Sequence, residues 1–172
     1  MSVLVRVLLV ATLAAGVVMV PAAGAGARSG AGGSQTAHSL DGFTVTALPP
    51  QVGEVISDFD YEWQRVAFSS RVWERRTGSG YRADLVIAVL RGERLRDPAA
   101  LREFLANYHE QEARAWSLRD FRHADGSGFI GAERAFWLVS PGVAVSVRLD
   151  GERFAPQWLQ TTARGVRSPY RG

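Results

Sequence analysis

Residues 129–149 read FIGAERAFWLVSPGVAVSVRL, which is two apolar runs on either side of a Pro-Gly pair. Pro141 and Gly142 are turn residues, and branched and aromatic residues flank them, so the stretch predicts a β-hairpin. The second strand, residues 143–149, alternates apolar with small or polar side chains, which indicates one buried face. An amphipathic segment at about 155–164 follows, and we expect it to form a helix that packs on the hairpin.

The preceding part of the chain repeats this plan. Two apolar strands, residues 64–75 and 81–90, flank a glycine-rich turn and predict a second hairpin. The later strand is apolar on both faces over its last residues, as expected for a central strand that is covered on both sides. A helix should follow, with Asp97 as its N-cap and Pro98 at its first position. A short alternating strand at 43–47 precedes the hairpin.

These elements predict one α+β domain over residues 40–166. We expect a mainly antiparallel, twisted sheet with two helices, in the order strand, hairpin–helix, hairpin–helix. The chain has 172 residues, of which 47% are hydrophobic, so it can build a core of ordinary size. The polar tail, residues 167–172, is predicted to be disordered.

The N-terminal segment predicts export. Arg6 is followed by an uninterrupted apolar run that is shorter than the ~20 residues of a membrane span. Candidate cleavage sites follow Ala25 and Ala27, so residues 1–27 are interpreted as a signal peptide and the protein as secreted or extracytoplasmic. The alternative is an uncleaved leader that anchors the protein to the membrane. Residues 28–39 are rich in glycine, serine and alanine and predict a flexible linker.

The composition excludes several classes of function. All 20 basic residues are arginine; apart from Arg6 and Arg28 they are interleaved with the 17 acidic residues, so the folded part is nearly neutral. Nucleic-acid binding needs clustered positive charge, and we expect no nucleic-acid partner. The chain has no cysteine, which excludes disulfides, thiolate metal sites, cysteine nucleophiles and a lipid-modified cysteine.

Three carboxylates alternate with three aromatic residues in one segment, in the order Asp58, Phe59, Asp60, Tyr61, Glu62 and Trp63. In an extended chain alternate residues share a face, so the carboxylates would line one side and could hold a hard cation. The alternative is a strand or irregular segment with its aromatic residues buried and its acids in water. We favour the alternative, because runs of charge are usually solvated faces.

The histidines give no coherent catalytic set. His38 lies in the predicted linker and is expected to be solvated, and His109 lies at the edge of a buried helical stripe. His123 and Asp125 could form an oriented base, but the Asp-Gly-Ser-Gly sequence that begins there is typical of a turn. Ser127, between two glycines, lacks the strand-to-helix pattern of a nucleophile elbow. The sequence therefore predicts no catalytic residue and no cofactor.

One part of the pattern resembles known domains. A glycine, a Phe-Trp-Leu-Val run, a turn, an apolar strand and a helix with an Ala-x-x-Val end are similar to the C-terminal part of small exported bacterial domains. Those domains are mostly uncharacterised, and some are tethered to the membrane or linked to sigma-factor regulation. The order of hairpins and helices over residues 40–166 also resembles PsbP-like α/β sandwiches, which implies a generally non-enzymatic role. The residues that carry the resemblance are Gly128 or Gly131, Phe136, Trp137, residues 143–149 and Ala163.

Our leading hypothesis is a secreted, non-catalytic binding or interaction module, with an envelope or secreted protein as its partner. A second hypothesis is an extracytoplasmic metal-dependent hydrolase that uses Asp58, Asp60 and Glu62 together with His109 or His123. A third is an accessory subunit of a cell-envelope assembly, which predicts a large exposed apolar patch. The ligand and the oligomeric state stay open.

Overall fold

The computed structural model describes residues 38–169; the predicted signal peptide and most of the predicted linker lie outside the described residues. No helix in this described part is long and apolar enough to cross a membrane. The elements follow in the order β1 (His38–Leu40), β2 (Phe43–Val45), β3 (Val55–Trp63), β4 (Val66–Thr77), β5 (Gly80–Arg91), α1 (Pro98–Tyr108), β6 (Arg119–His123), β7 (Gly126–Ile130), β8 (Arg134–Ser140), β9 (Val143–Leu149), α2 (Pro156–Gly165) and β10 (Val166–Arg167).

The large sheet has seven strands in the order β3-β4-β5-β9-β8-β7-β6, and every neighbouring pair is antiparallel. It consists of two meanders, β3 to β5 and β6 to β9, which join where β5 pairs with β9. Each meander leads into a helix. The α+β class is therefore confirmed, although strands dominate the fold and each predicted hairpin is part of a longer meander.

The sheet is covered on both faces. Helix α1 covers part of one face, and a three-stranded sheet in the order β1-β2-β10 covers the other together with α2. Strand β5 contributes Leu85, Ile87 and Val89 to one apolar cluster and Leu90 to the other, which confirms that it is a central strand buried on both faces. The start of α1 is also confirmed, because Asp97 Oδ1 accepts a hydrogen bond from the Ala100 amide at 2.8 Å.

Two irregularities change the register of the large sheet. The pairing of β4 with β5 shifts between Trp73 and Glu74, so that Asp84 is an extra residue on β5. The pairing of β8 with β9 shifts between Leu138 and Ser140, so that Val139 is the extra residue on β8. A one-residue shift changes which side chains lie opposite each other, and both shifts affect the chemistry described below.

A turn does follow His123, but its predicted extension over residues 126–128 is wrong. Ala124 and Asp125 form the turn, and the glycines that follow lie inside strand β7, which pairs with β8. A Cβ atom on Gly128 would lie 2.0 Å from the carbonyl oxygen of Phe136, so the two backbones approach more closely than any side chain permits. Glycine is required here by packing inside a strand.

The ordered domain is longer than predicted at both ends. His38, which the sequence places in a solvated linker, belongs to β1 and its ring lies edge-on to Trp73, with ring centres 5.7 Å apart. In the predicted disordered tail, Arg167 belongs to β10, and the Ser168 amide donates a hydrogen bond to Asp125 Oδ2 at 2.8 Å. Residues 170–172 lie outside the described part.

Candidate functional site

The predicted acidic cluster lies on one face of edge strand β3. Asp58 accepts two hydrogen bonds from the Arg71 guanidinium, at 2.7 and 2.6 Å, and these bonds hold the pKa of the Asp58 carboxyl below its usual value. Residues on a strand rise about 3.3 Å each, so the Cα atoms of Asp58 and Glu62 are about 13 Å apart, which is too far for all three acids to share one cation. Among residues 38–169, no three His, Asp or Glu side chains are grouped closely enough to hold a metal ion.

The structure separates the histidines from these acids. His123 lies on β6, at the opposite edge of the large sheet from β3, and six strand spacings amount to about 29 Å. Its ring stacks on Trp137, with ring centres 4.3 Å apart. His109 caps α1, which covers the face opposite to the carboxylates. The set that a hydrolase hypothesis requires is not brought together.

The aromatic residues of β3 differ from the favoured interpretation. Phe59 and Tyr61 are 46% and 40% exposed, so the expectation that they are buried is wrong, while Trp63 is half-buried against the rings of Phe104 and Tyr108. Helix α1 has 11 residues, a length of about 16 Å, and cannot cover the whole sheet face. Part of that face is left open beside the C-terminal end of the helix.

Small side chains lie buried in the sheet beside this end of α1. Ser70, Ala88 and Ser146 lie side by side on three adjacent strands, in one row of the sheet. Above them the hydroxyl groups of Tyr61 and Tyr108 form a hydrogen bond of 2.8 Å. Burial, and then this hydrogen bond, raise the pKa of the Tyr61 phenol, so the hydroxyl stays protonated and can donate.

Two arginines lie directly opposite each other in the next row. Arg134 on β8 pairs with Arg148 on β9. Each lies two residues from a member of the Phe136–Ser146 pair, which faces α1, so both arginines lie on that same face of the sheet. Arg134 is half-buried and Arg148 is exposed. Within residues 38–169, neither guanidinium forms a hydrogen bond or a salt bridge, and the nearby Glu133 contributes only a weak attraction. Burial, and then repulsion from Arg148, lower the pKa of Arg134 to about 10, so it is charged at neutral pH.

His109 completes the surface. Burial, followed by repulsion from Arg134 and Arg148, lowers the pKa of its imidazole to about 3, so the ring is neutral at physiological pH. Its ring contacts those of Tyr108 and Trp116. We call this set the arginine-pair surface, and it consists of Tyr61, Tyr108, His109, Arg134 and Arg148. It presents two fixed positive charges, phenol donors and a neutral imidazole, a combination that suits an anion.

The sequence gives no sign of this pair. A hairpin that closes on the two-residue turn at 141–142 without a bulge would place Arg134 opposite Leu149. The extra residue, Val139, moves the register by one and places Arg134 opposite Arg148 instead. Two arginines near the ends of a predicted hairpin indicate a pair of opposed positive charges only when the position of the bulge is known.

A buried carboxylate elsewhere has a structural role. Asp84 is 1% exposed, accepts a hydrogen bond from the Gly53 amide at 3.0 Å and is hydrogen-bonded by Arg153. Arg75 Nε lies 2.9 Å from its other oxygen, close enough for an ion pair but outside hydrogen-bond geometry. Since both oxygens face partners, Asp84 fixes the bulge of β5 to the loops around it and is not available to a ligand.

A surface cleft of about 760 Å³ lies along α1. Its charged lining mixes Arg65, Arg94 and Arg96 with Glu93 and Glu103. Arginines interleaved with glutamates on an open surface give a weak field of mixed sign. The cleft is therefore a poorer anion site than the arginine-pair surface, where two guanidiniums adjoin without a bonded carboxylate.

No protein-family model matches the chain, and comparisons with curated proteins and with solved structures likewise find no match. The resemblance to PsbP-like sandwiches therefore stays a prediction.

Proposed function

We propose that the protein is an extracytoplasmic, non-catalytic binding module that holds a small anionic ligand at the arginine-pair surface. The observation that carries the proposal is the direct opposition of Arg134 and Arg148, without a hydrogen-bonded acid, on the open part of the sheet face. The apolar leader with its small-residue cleavage pattern supports a location outside the cytoplasmic membrane.

An anion would relieve two unfavourable features at once. Like charges placed opposite each other on adjacent strands destabilise a sheet by roughly 0.2–1 kcal/mol. A half-buried guanidinium also loses part of its hydration and gains no partner in return. A phosphate or carboxylate between Arg134 and Arg148 would offset both positive charges and accept hydrogen bonds from both guanidinium groups.

The surroundings indicate that the ligand also has an apolar part. Val86 lies opposite Arg148 in the same row, and Val72 lies opposite Val86; both side chains are half-buried on the open face. On strand β3 this row continues to Ser57, and the exposed ring of Phe59 lies in the adjacent row. The site therefore fits a small amphipathic molecule, with an oxyanion at the arginines and a flat or aliphatic body across the valines.

The same groups support binding rather than catalysis. His109 is neutral at physiological pH and is packed against aromatic rings, and within residues 38–169 no carboxylate forms an ion pair with it that would orient it as a base. The phenol of Tyr61 is held protonated and serves as a donor. These properties suit recognition of a ligand that leaves unchanged.

The proposal is tested by calorimetric titration of the whole chain with phenyl phosphate, phenylacetate and inorganic phosphate at a fixed ionic strength. Replacing Arg134 or Arg148 with glutamine should weaken phenyl phosphate binding roughly 10- to 100-fold, since hydrogen bonds to charged groups contribute about 1.5–3 kcal/mol each. Arg122→Gln removes an equal charge from exposed strand β6 and should leave the affinity within about twofold. Equal losses in all three variants, or no binding of any probe, would refute the proposal.

A further inference from the structure

The two edges of the large sheet are built differently. Strand β6 has five residues and carries Arg119 and Arg122, and short length and basic side chains are features that protect an edge from pairing. Strand β3 has nine residues in unbroken register with β4 and contains neither proline nor a basic residue. It exposes Ile56, Phe59 and Tyr61, each at least 40% accessible. Within the described residues, its outer edge pairs with no strand.

We propose that β3 is a docking edge for an extended segment of a partner protein, which adds to the sheet as an eighth strand. The segment would carry basic residues at alternate positions beside Asp60 and Glu62, and aromatic or branched residues beside Phe59 and Tyr61. In strand addition the backbone hydrogen bonds provide affinity and the alternating side chains provide specificity. This inference does not rest on Arg134 and Arg148, although Tyr61 borders both the docking edge and the arginine-pair surface.

Charge complementarity identifies the chemistry of the segment. Asp58 is already neutralised by Arg71 on the neighbouring strand. Asp60 and Glu62 lie opposite Ser69 and Ala67, which carry no charge, and within residues 38–169 neither forms a salt bridge. Their positive partners can therefore come from the open side of β3, at two positions separated by one residue.

The same row of acids disfavours a second copy of this chain. A symmetric antiparallel pair of two β3 strands keeps equivalent faces on the same side of the joined sheet. Each such register that pairs most of β3 places carboxylates of one copy opposite carboxylates of the other, and opposed like charges destabilise the pair. The carboxylates therefore disfavour pairing of β3 with the β3 strand of a second copy, but they do not disfavour pairing with a basic strand.

The test uses the whole chain and two nine-residue peptides, one alternating arginine with valine and the other alternating glutamate with valine. The arginine peptide should bind the wild type, and it should slow hydrogen exchange of the β3 amides. The double variant Asp60→Arg, Glu62→Arg should reverse the preference, weakening the arginine peptide by roughly fivefold or more and binding the glutamate peptide. The matched control Arg119→Glu, Arg122→Glu changes charge at the other edge and should keep the wild-type preference.

Three outcomes would overturn the inference. One is an unchanged preference in the double variant. Another is equal binding of an arginine peptide that is N-methylated at alternate residues, because such a peptide cannot form strand hydrogen bonds. The third is sedimentation of the wild type as a dimer that the double variant abolishes, because this would make a second copy the occupant. Phenyl phosphate binding by the double variant should equal that of the wild type, which separates this test from that of the anion site.

Discussion

Replacing Arg148 with glutamate should stabilise the unliganded protein and abolish its response to anions. Arg148 lies opposite Arg134, so the substitution removes a like-charge pair and creates an opposite-charge pair in the same cross-strand position. Each change contributes about 0.2–1 kcal/mol, and because Arg148 is exposed and screened by solvent we expect a total of about 1 kcal/mol. In a domain of this size, that raises the midpoint of thermal unfolding by roughly 3–6 °C.

The assay is thermal unfolding followed by circular dichroism, at low salt and near 1 M salt, with and without phenyl phosphate. The increase in the unfolding midpoint of Arg148→Glu over the wild type should be smaller at high salt, where the Debye length falls to about 3 Å. A ligand at a hundred times its dissociation constant stabilises the native state by about 2.7 kcal/mol, and this increment should appear in the wild type but not in Arg148→Glu.

Arg122→Glu is the matched control, because it makes the same change in net charge on exposed strand β6. It should leave both the midpoint and the ligand increment close to those of the wild type. The reasoning is refuted if Arg148→Glu lowers the midpoint, or if it retains the phenyl phosphate increment.

Gly128→Ala should lower the free energy of unfolding, measured in urea, by about 3 kcal/mol or more, because its methyl group would lie 2.0 Å from a carbonyl oxygen of β8. The control Gly78→Ala, which has no atom within 4 Å of the added methyl group, should change the free energy of unfolding by less than about 0.5 kcal/mol. Similar losses in both variants would contradict the packing argument. The pKa of His109 is about 3 in the folded protein against 6.5 for the free group, so the unfolded chain takes up the proton first and stability should fall as the pH drops from about 6.5 towards 3. His109→Gln should flatten that part of the pH–stability curve, and an unchanged curve would exclude this residue as its source. Asp84→Asn should lower the free energy of unfolding by about 2–4 kcal/mol in the same urea experiment, since it removes the buried charge that pairs with two part-exposed arginines. An unchanged free energy of unfolding would show that the bulge does not depend on the charge.

Local signals predicted much of the fold. The Pro-Gly turn at 141–142 lies between β8 and β9 as expected, and the Asp97-Pro98 pair begins α1. These features depend on the conformational preferences of a few neighbouring residues, which the sequence shows directly. The strand at 126–130 is harder to predict, because glycine permits both a turn and a close approach of two strands.

The candidate site could not be predicted, because it depends on register and coverage. The extra residue Val139 decides that Arg134 lies opposite Arg148, and a bulge of this kind has no reliable sequence signature. The exposure of Phe59 and Tyr61 follows from the short reach of α1 across a wide sheet, which periodicity within β3 does not show. Alternation predicted which residues of β3 share a face, but not which face is covered.

The most direct test of the anion site is a nuclear magnetic resonance titration of the whole isotope-labelled chain with phenyl phosphate, observing the arginine Nε–H groups and the His109 ring. Saturable shifts at Arg134 and Arg148, with a matching shift of the His109 ring, are expected if the ligand lies between the two guanidiniums. Shifts centred instead on the cleft arginines Arg65 and Arg94, or weak shifts spread over all 20 arginines, would contradict it.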